Sequence, residues 1–195
     1  MTTISMTTGK PQAQPMMYRG IKFRSKAEGK TAQALDNFGI TWQYEPSEYQ
    51  LPNGLWYKPD FWLPYARMFV ECKGEQTELA MAKAYGLVEQ TKRPVLIMGY
   101  DWAKVFKYLW DVKPSDEPSG FEREIVCYSS SIYLARCLFC GKSWFLAFED
   151  SWKCPCCGKL SGYNTFSELY EIDGITTLFH LGQKQASREY AKYCD

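Results

Sequence analysis

Three carboxylates, one ammonium and four thiols carry the chemistry legible in this chain. "YKPDFWLPYARMFVECKGE", at 57 to 75, sets Asp60 and the triplet Glu71-Cys72-Lys73 on two apolar stretches that read as adjoining β-strands. With "PYAR" at 64 to 67 as an even-length turn, Leu63 faces Met68 and Asp60 comes opposite Glu71, their Cβ atoms roughly 5 Å apart. Like charges placed so are destabilising, and a divalent cation bound by both carboxylates is the economical compensation. Strand alternation puts Lys73 on the face of Glu71, about 6.7 Å further along the chain. A one-residue slip of the turn would abolish the opposition, so the arrangement is conditional on register.

Glu28 is the third acid. "RSKAEGK" at 24 to 30 contains Ser25-x-x-Glu28, a capping box in which a glutamate needs no other task. Glu28 also lies two turns before Leu35, on the face of Thr31 and Ala32 that is expected against the sheet, and a carboxylate aimed at a sheet is better explained by a site.

The thiols form a separate constellation. "CLFCG" and "CPCCG" give Cys137-x2-Cys140 and Cys154-x2-Cys157, each pair followed by glycine. Two such turns complete a tetrahedral shell of four thiolates around one ion, with no position left for water, so the site is expected to be structural and to hold zinc; iron is the second candidate. Cys156 is a spare that could replace Cys157. Cys72, Cys127 and Cys194 read as small apolar residues, and the lone His180 as a core or surface histidine rather than a ligand.

These groups must be positioned by a protein of 195 residues with 46% hydrophobic content, enough for one sizeable core and a small second module. No apolar run approaches the ~20 residues that span a bilayer, so a soluble cytoplasmic protein without membrane partners is expected. Residues 1–17 read as a disordered leader without a secretory signal. "VKPSDEPSG" concentrates turn formers, which sets a linker at 112–121 between a domain at 18–111 and a module at 122–195 that combines a zinc ribbon with a C-terminal helix near 183–193. Within the first domain the pattern predicts helices at 26–38, 75–90 and 102–110, with strands at 41–44, 57–63, 68–73 and 94–98. That order makes an α/β sandwich on a mixed sheet.

Glu28 on a first helix, "PDF" at 59 to 61 and "VECKG" at 70 to 74 resemble the PD-(D/E)XK nuclease superfamily over residues 18 to 110. The likeness is greatest to small phage junction-resolving endonucleases and to very-short-patch-repair-like and transposon-end nucleases. It implies a restriction-endonuclease-like mixed sheet flanked by helices, and a phage-encoded endonuclease that hydrolyses phosphodiester bonds of branched or distorted DNA with Mg2+ or Mn2+ in the host cytoplasm. Asp60 and Glu71, with the backbone carbonyl of Cys72, would supply hard oxygen ligands. Lys73 would orient water and offset charge on the phosphorane, and Glu28 would hold a second ion or tune the first.

Net charge is near zero, with 23 Lys and Arg against 22 Asp and Glu. Its distribution is uneven, and Lys22, Arg24, Lys26 and Lys30 in the basic arm, with Lys83 on the helix after Lys73, are the candidates for DNA phosphates. Trp42, Trp56, Tyr57 and Trp62 near the site could stack on an unpaired base. The zinc module carries Arg136, Lys142, Lys153 and Lys159 against Glu149 and Asp150, and is a second surface for DNA, a homodimer or a protein partner. The alternative to an enzyme is a non-catalytic zinc-containing adaptor on the same scaffold.

Overall fold

The computed structural model describes residues 13–108, 125–129, 131–147, 153–160 and 166–191, of which residues 189–191 are described by their backbone alone. Met16–Tyr18 (β1) and Ile21–Phe23 (β2) pair across Arg19-Gly20, both at positive φ (49° and 78°), the backbone of a tight hairpin turn. Lys26–Asn37 (α1) follows, capped by Ser25, whose hydroxyl accepts the Glu28 N–H at 3.2 Å. It ends where Gly39 turns left-handed (φ 64°), with Gly39 N–H donating to Asp36 O and Ile40 N–H to Leu35 O, the paired bonds of a Schellman stop.

Gln43–Tyr44 (β3), Tyr49–Gln50 (β4), Trp56–Tyr57 (β5), Phe61–Leu63 (β6) and Met68–Cys72 (β7) lead to the second helix, Glu78–Thr91 (α2). Val95–Met98 (β8), Ala103–Tyr108 (β9) and Ile125–Tyr128 (β10) then complete a six-stranded sheet in the order β10-β9-β8-β7-β6-β3. Only β7 and β8 run parallel, so the sheet is mixed as expected. Ile132–Cys137 (β11), Ser143–Ala147 (β12) and Phe166–Glu171 (β13) form a three-stranded sheet, and Ile175–Ala191 (α3) closes the chain.

Strand alternation divides the core. Phe61, Val70, Leu96, Met98 and Val105 meet Leu35 and Phe38 of α1, Ile175 and Leu178 of α3, and Ile132, Leu134 and Phe145 of the small sheet. Phe69, Val95, Ile97 and Phe106 face the other way, onto Ala84, Leu87 and Val88 of α2. The first cluster crosses the boundary drawn from sequence: the small sheet and α3 share one core with the main sheet, and β10 is one of its strands. The proline-rich segment at 112–121 itself lies outside the described residues.

Several expectations are corrected. Residues 103–108 form β9, not a helix. Trp102, Val105 and Phe106 sit at helical spacing, but a strand buried on both faces also reads as a nearly continuous apolar run, and pairing with both β8 and β10 decides the outcome. Met16 and Met17, assigned to the leader, are in β1. The strand drawn over 57–63 is broken at Pro59, which has no N–H for a ladder, into β5 and β6. α2 starts at Glu78 because Thr77 takes the cap, its hydroxyl accepting the Ala80 N–H at 3.2 Å.

α3 starts at Ile175, eight residues before the predicted 183, although Thr176, Thr177 and Gly182 disfavour a helix. Its first free N–H groups donate to Gly99 O and Tyr100 O, at 2.8 and 3.0 Å. At Gly182 a Cβ would lie 3.1 Å from the Ala34 Cα, so the glycine lets α3 approach α1 closely. Trp110, Glu149, Asp150 and Cys194 lie outside the described residues. Among the described residues no helix is long and apolar enough to cross a membrane.

Candidate active site and metal centre

The β6–β7 register follows from the turn. Leu63 pairs with Met68, Trp62 with Phe69 and Phe61 with Val70, which carries Asp60 opposite Glu71 at the mouth of the ladder. There the side chains replace ladder bonds. Asp60 N–H donates to Glu71 Oε2 at 3.1 Å, and Cys72 N–H donates to Asp60 Oδ2 at 2.8 Å, so each carboxylate binds the backbone of the other's strand. Both side chains are buried, at 1% relative exposure, and Lys73 forms an ion pair with Glu71 Oε1.

Glu28, also buried, comes from the first turn of α1. Its carboxylate accepts from Ser25 Oγ at 2.9 Å, Arg24 N–H at 3.1 Å and Tyr44 Oη at 2.5 Å, so the capping serine and the sheet residue hold one side chain. The Arg24 guanidinium links the acids: Nη2 is 2.7 Å from Asp60 Oδ1, and Nε is 3.0 Å from Glu45 Oε1 and 3.9 Å from Glu28 Oε2. Arg24, expected to meet DNA phosphates, is therefore engaged with carboxylates. The three acids are gathered at one end of the sheet, but Arg24 and Lys73 stand among them. Among the described residues only the four cysteines bring three or more candidate ligand atoms within 4.8 Å of one another.

Burial, followed by the charge of Glu71, pushes the Asp60 carboxyl up to about 8. Burial opposes the charge of Lys73, yet Glu71 and then Asp60 hold its pKa above the ordinary lysine value, so the ammonium keeps its proton. Burial and the hydrogen bond to Glu28 likewise raise Tyr44, which stays a phenol donor. Tyr57 is buried beside Glu71, and burial, the charge of Glu71 and the approach of its hydroxyl to that carboxylate raise its pKa; among the described residues the hydroxyl makes no hydrogen bond of good geometry. The carboxylate oxygens are hard donors of the kind divalent cations take, and Arg24 and Lys73 balance their charge in this structure.

The cysteine turns are built alike. Gly141 N–H donates to Cys137 O and Gly158 N–H to Cys154 O, both at 2.9 Å, with the two glycines left-handed at φ 67° and 72°. The loops thereby turn the Sγ atoms of Cys137, Cys140, Cys154 and Cys157 together. Sγ separations of 3.8 Å (Cys137 to Cys157) and 3.7 Å (Cys140 to Cys154) match the tetrahedron edge of about 3.8 Å that four zinc–sulfur bonds of ~2.3 Å require. The set is compatible with structural zinc, and Cys157 rather than Cys156 supplies the fourth thiol. Cys72 donates its buried thiol to Thr31 Oγ1 at 3.3 Å, which suits an apolar packing role.

Lys22 and Lys26 are exposed. Lys30 turns to α3, its Nζ 5.2 Å from the Phe179 ring centre, whereas the Lys83 Nζ is 5.7 Å from the ring of Tyr57, beside Glu71. Trp56 is exposed, Trp42 and Trp62 are half-buried, and Tyr57 is buried. Sequence reasoning gave no site role to Tyr44 or Glu45; the only signal was their place just before the site hairpin, and their contacts depend on β3 pairing with β6. No protein-family profile and no curated protein matches this sequence.

Proposed function

We propose that this protein is a Mg2+- or Mn2+-dependent endodeoxyribonuclease whose sheet is of restriction-endonuclease-like type, with Glu28, Asp60, Glu71 and Lys73 as its catalytic set and branched or distorted DNA as its substrate. The observation that carries the reading is the interlock of Asp60 and Glu71. Two buried carboxylates at opposed strand positions cost desolvation and repulsion that apolar side chains of similar size would not, and such arrangements cluster at functional sites.

When bound, the divalent cation would lower the pKa of water and neutralise phosphate oxygens. The residues do the rest. Asp60 and Glu71, with the Cys72 carbonyl at the end of β7, would hold the cation, and their bonds to each other's strands fix both rotamers. Lys73, held as an ammonium by Glu71, stabilises negative charge developing on the phosphoryl group rather than abstracting a proton. Tyr57 offers a buried donor to a ligand or water beside Glu71. Glu28, held by Tyr44 and Ser25, sets the position of Arg24 and through it that of Asp60.

Glu71→Gln keeps the size of the side chain and removes its charge, so cleavage of plasmid and four-way-junction DNA is expected to fall by about a thousandfold while DNA affinity in Ca2+ is unchanged or higher. Lys73→Ala should abolish turnover yet leave cation binding measurable by calorimetry, because an ammonium is not a ligand. Parent protein that binds DNA but cuts none of these forms with Mg2+ or Mn2+, or a Glu71→Gln variant that cuts normally, would leave the zinc-containing adaptor as the function.

A further inference from the structure

We infer that a second surface, a basic cleft where the far end of the main sheet meets the second cysteine turn, holds the phosphate backbone of a nucleic-acid strand. The cleft encloses about 360 Å3 and, among the described residues, is lined by Arg67, Lys92, Arg93, Lys107 and Lys153 with no Asp or Glu. It is distinct from the acid cluster. Met68 opens β7 at the cleft, and Lys73 lies roughly 16 Å further along the strand direction.

Three features make this a built surface. Its cations come from separate elements, the β6–β7 turn, the α2–β8 junction, β9 and the cysteine turn, so the fold gathers what the sequence scatters. Among the described residues no carboxylate pairs with Arg67, Lys92, Arg93 or Lys153, whereas Arg24, Lys73 and Arg136 are each paired elsewhere; Lys92 rests its ammonium 4.3 Å from the ring centre of Tyr108 in the cleft wall, and Arg67, Arg93 and Lys153 are the cations least engaged. Finally, Arg67 and Lys92 adopt left-handed backbone (φ 53° and 56°), where glycine or asparagine is the less costly choice. The chain thus places its cations at two strained positions on the rim of one cleft.

The occupant follows from the chemistry. Trp144, Phe145 and Tyr108 lie in the wall but are buried, so no ring face is open for a base to stack on. Around an apolar floor the cleft presents three ammonium and two guanidinium groups, which suit successive phosphates and carry no base readout. The cysteine turn also gains a role, since Lys153, Cys154, Pro155 and Gly158 form one wall. Lys142, directly after the first cysteine turn, has its Nζ 4.5 Å from the Tyr65 ring centre and ties that other turn to the β6–β7 turn.

Using DNA as the probe rests on the nuclease reading; the cleft itself does not. The test measures affinity for a duplex oligonucleotide across salt concentrations, in buffer free of added divalent cations and of chelator, so that bound zinc is kept. Arg67→Gln and Lys153→Gln alter exposed side chains and should each lower the slope of log K against log salt by about 0.9, one phosphate contact apiece. The double charge reversal Arg67→Glu with Lys153→Glu should weaken binding at least tenfold, while Lys184→Glu on α3 changes it less than twofold. Unchanged slopes in both glutamine variants would overturn the inference even if the parent cuts DNA. Inorganic phosphate or a mononucleotide that competes at the concentration of the oligonucleotide would also overturn it, by showing a small-anion site. A parent that binds through the cleft but cuts nothing would sustain this inference and defeat the nuclease reading.

Discussion

At the scale of the residue, Asp60 is where the molecule's pH dependence should reside. Its carboxyl titrates near 8 in the fold against an ordinary 3.8, because burial and then Glu71 disfavour the charged form. Between those limits the folded chain holds a proton that the unfolded chain has lost, so this group makes stability fall as pH rises from about 4 to about 8. Thermal unfolding without divalent cations should therefore show a decline in Tm over that window, and Asp60→Asn should remove most of it. A variant whose Tm falls as steeply as the parent's would show that Asp60 is not the group responsible. A cation held by Asp60 requires the carboxylate, so Mg2+ binding at pH 7 should release a proton, visible as a dependence of the calorimetric heat on the buffer's ionisation enthalpy. Neighbouring Lys73 behaves differently: its acids keep it charged, which is why the role proposed for it is electrostatic.

At the scale of the element, the β6–β7 turn does two tasks that oppose each other. Its even length sets the register that brings Asp60 to Glu71, while Arg67, the last of its four residues, sits left-handed at φ 53°. Replacing Arg67 by glycine removes the Cβ clash and should raise stability by about 0.5–1 kcal/mol, a Tm increase of ~1–4 °C. The same change should weaken DNA binding through the basic cleft. Opposite signs in the two measurements are the expected outcome; a fall in both would mean that Arg67 packs rather than binds. The contrast with Gly39, Gly141 and Gly158 is instructive, since glycine occupies those left-handed positions.

At the scale of the whole molecule, the cysteine turns are coupled to the main sheet. β11, which ends at Cys137, contributes Ile132 and Leu134 to the cluster that holds Leu35, Phe38, Val70 and Leu96. Cys137→Ser should therefore lower the Tm of the chain in a single transition, instead of melting a separate module and leaving the rest intact. Metal analysis of the parent should find one zinc per chain, and dialysis against a strong chelator should shift the parent's Tm toward that of the variant. Two resolved transitions in the variant, with the upper one at the parent's Tm, would refute the coupling. Such a result would restore the independent module that the proline-rich segment suggests.

The zinc-type centre was legible in sequence because its ligands are local. Each Cys-x2-Cys-Gly turn makes its own backbone bonds, and only the meeting of two turns is left to the fold. The Asp60–Glu71 opposition was also legible, since a short turn fixes register and strand periodicity does the rest, and Glu28 could be placed from helical spacing. What surrounds these acids was not. Arg24 reads as a solvated cation until β3 and β6 bring Glu45 and Asp60 to it, and Lys30 reads as a DNA contact until α3 puts Phe179 beneath its ammonium. Residues 103–108 failed for a related reason, because a run buried on both faces has no preferred period and its neighbours β8 and β10 choose the conformation. The basic cleft belongs wholly to tertiary structure: its five cations lie at 67, 92, 93, 107 and 153, and no local rule links them. Chemistry confined to one turn or one hairpin is determined by sequence, whereas the partner of a long charged side chain is set by whichever distant element the packed core brings within its reach.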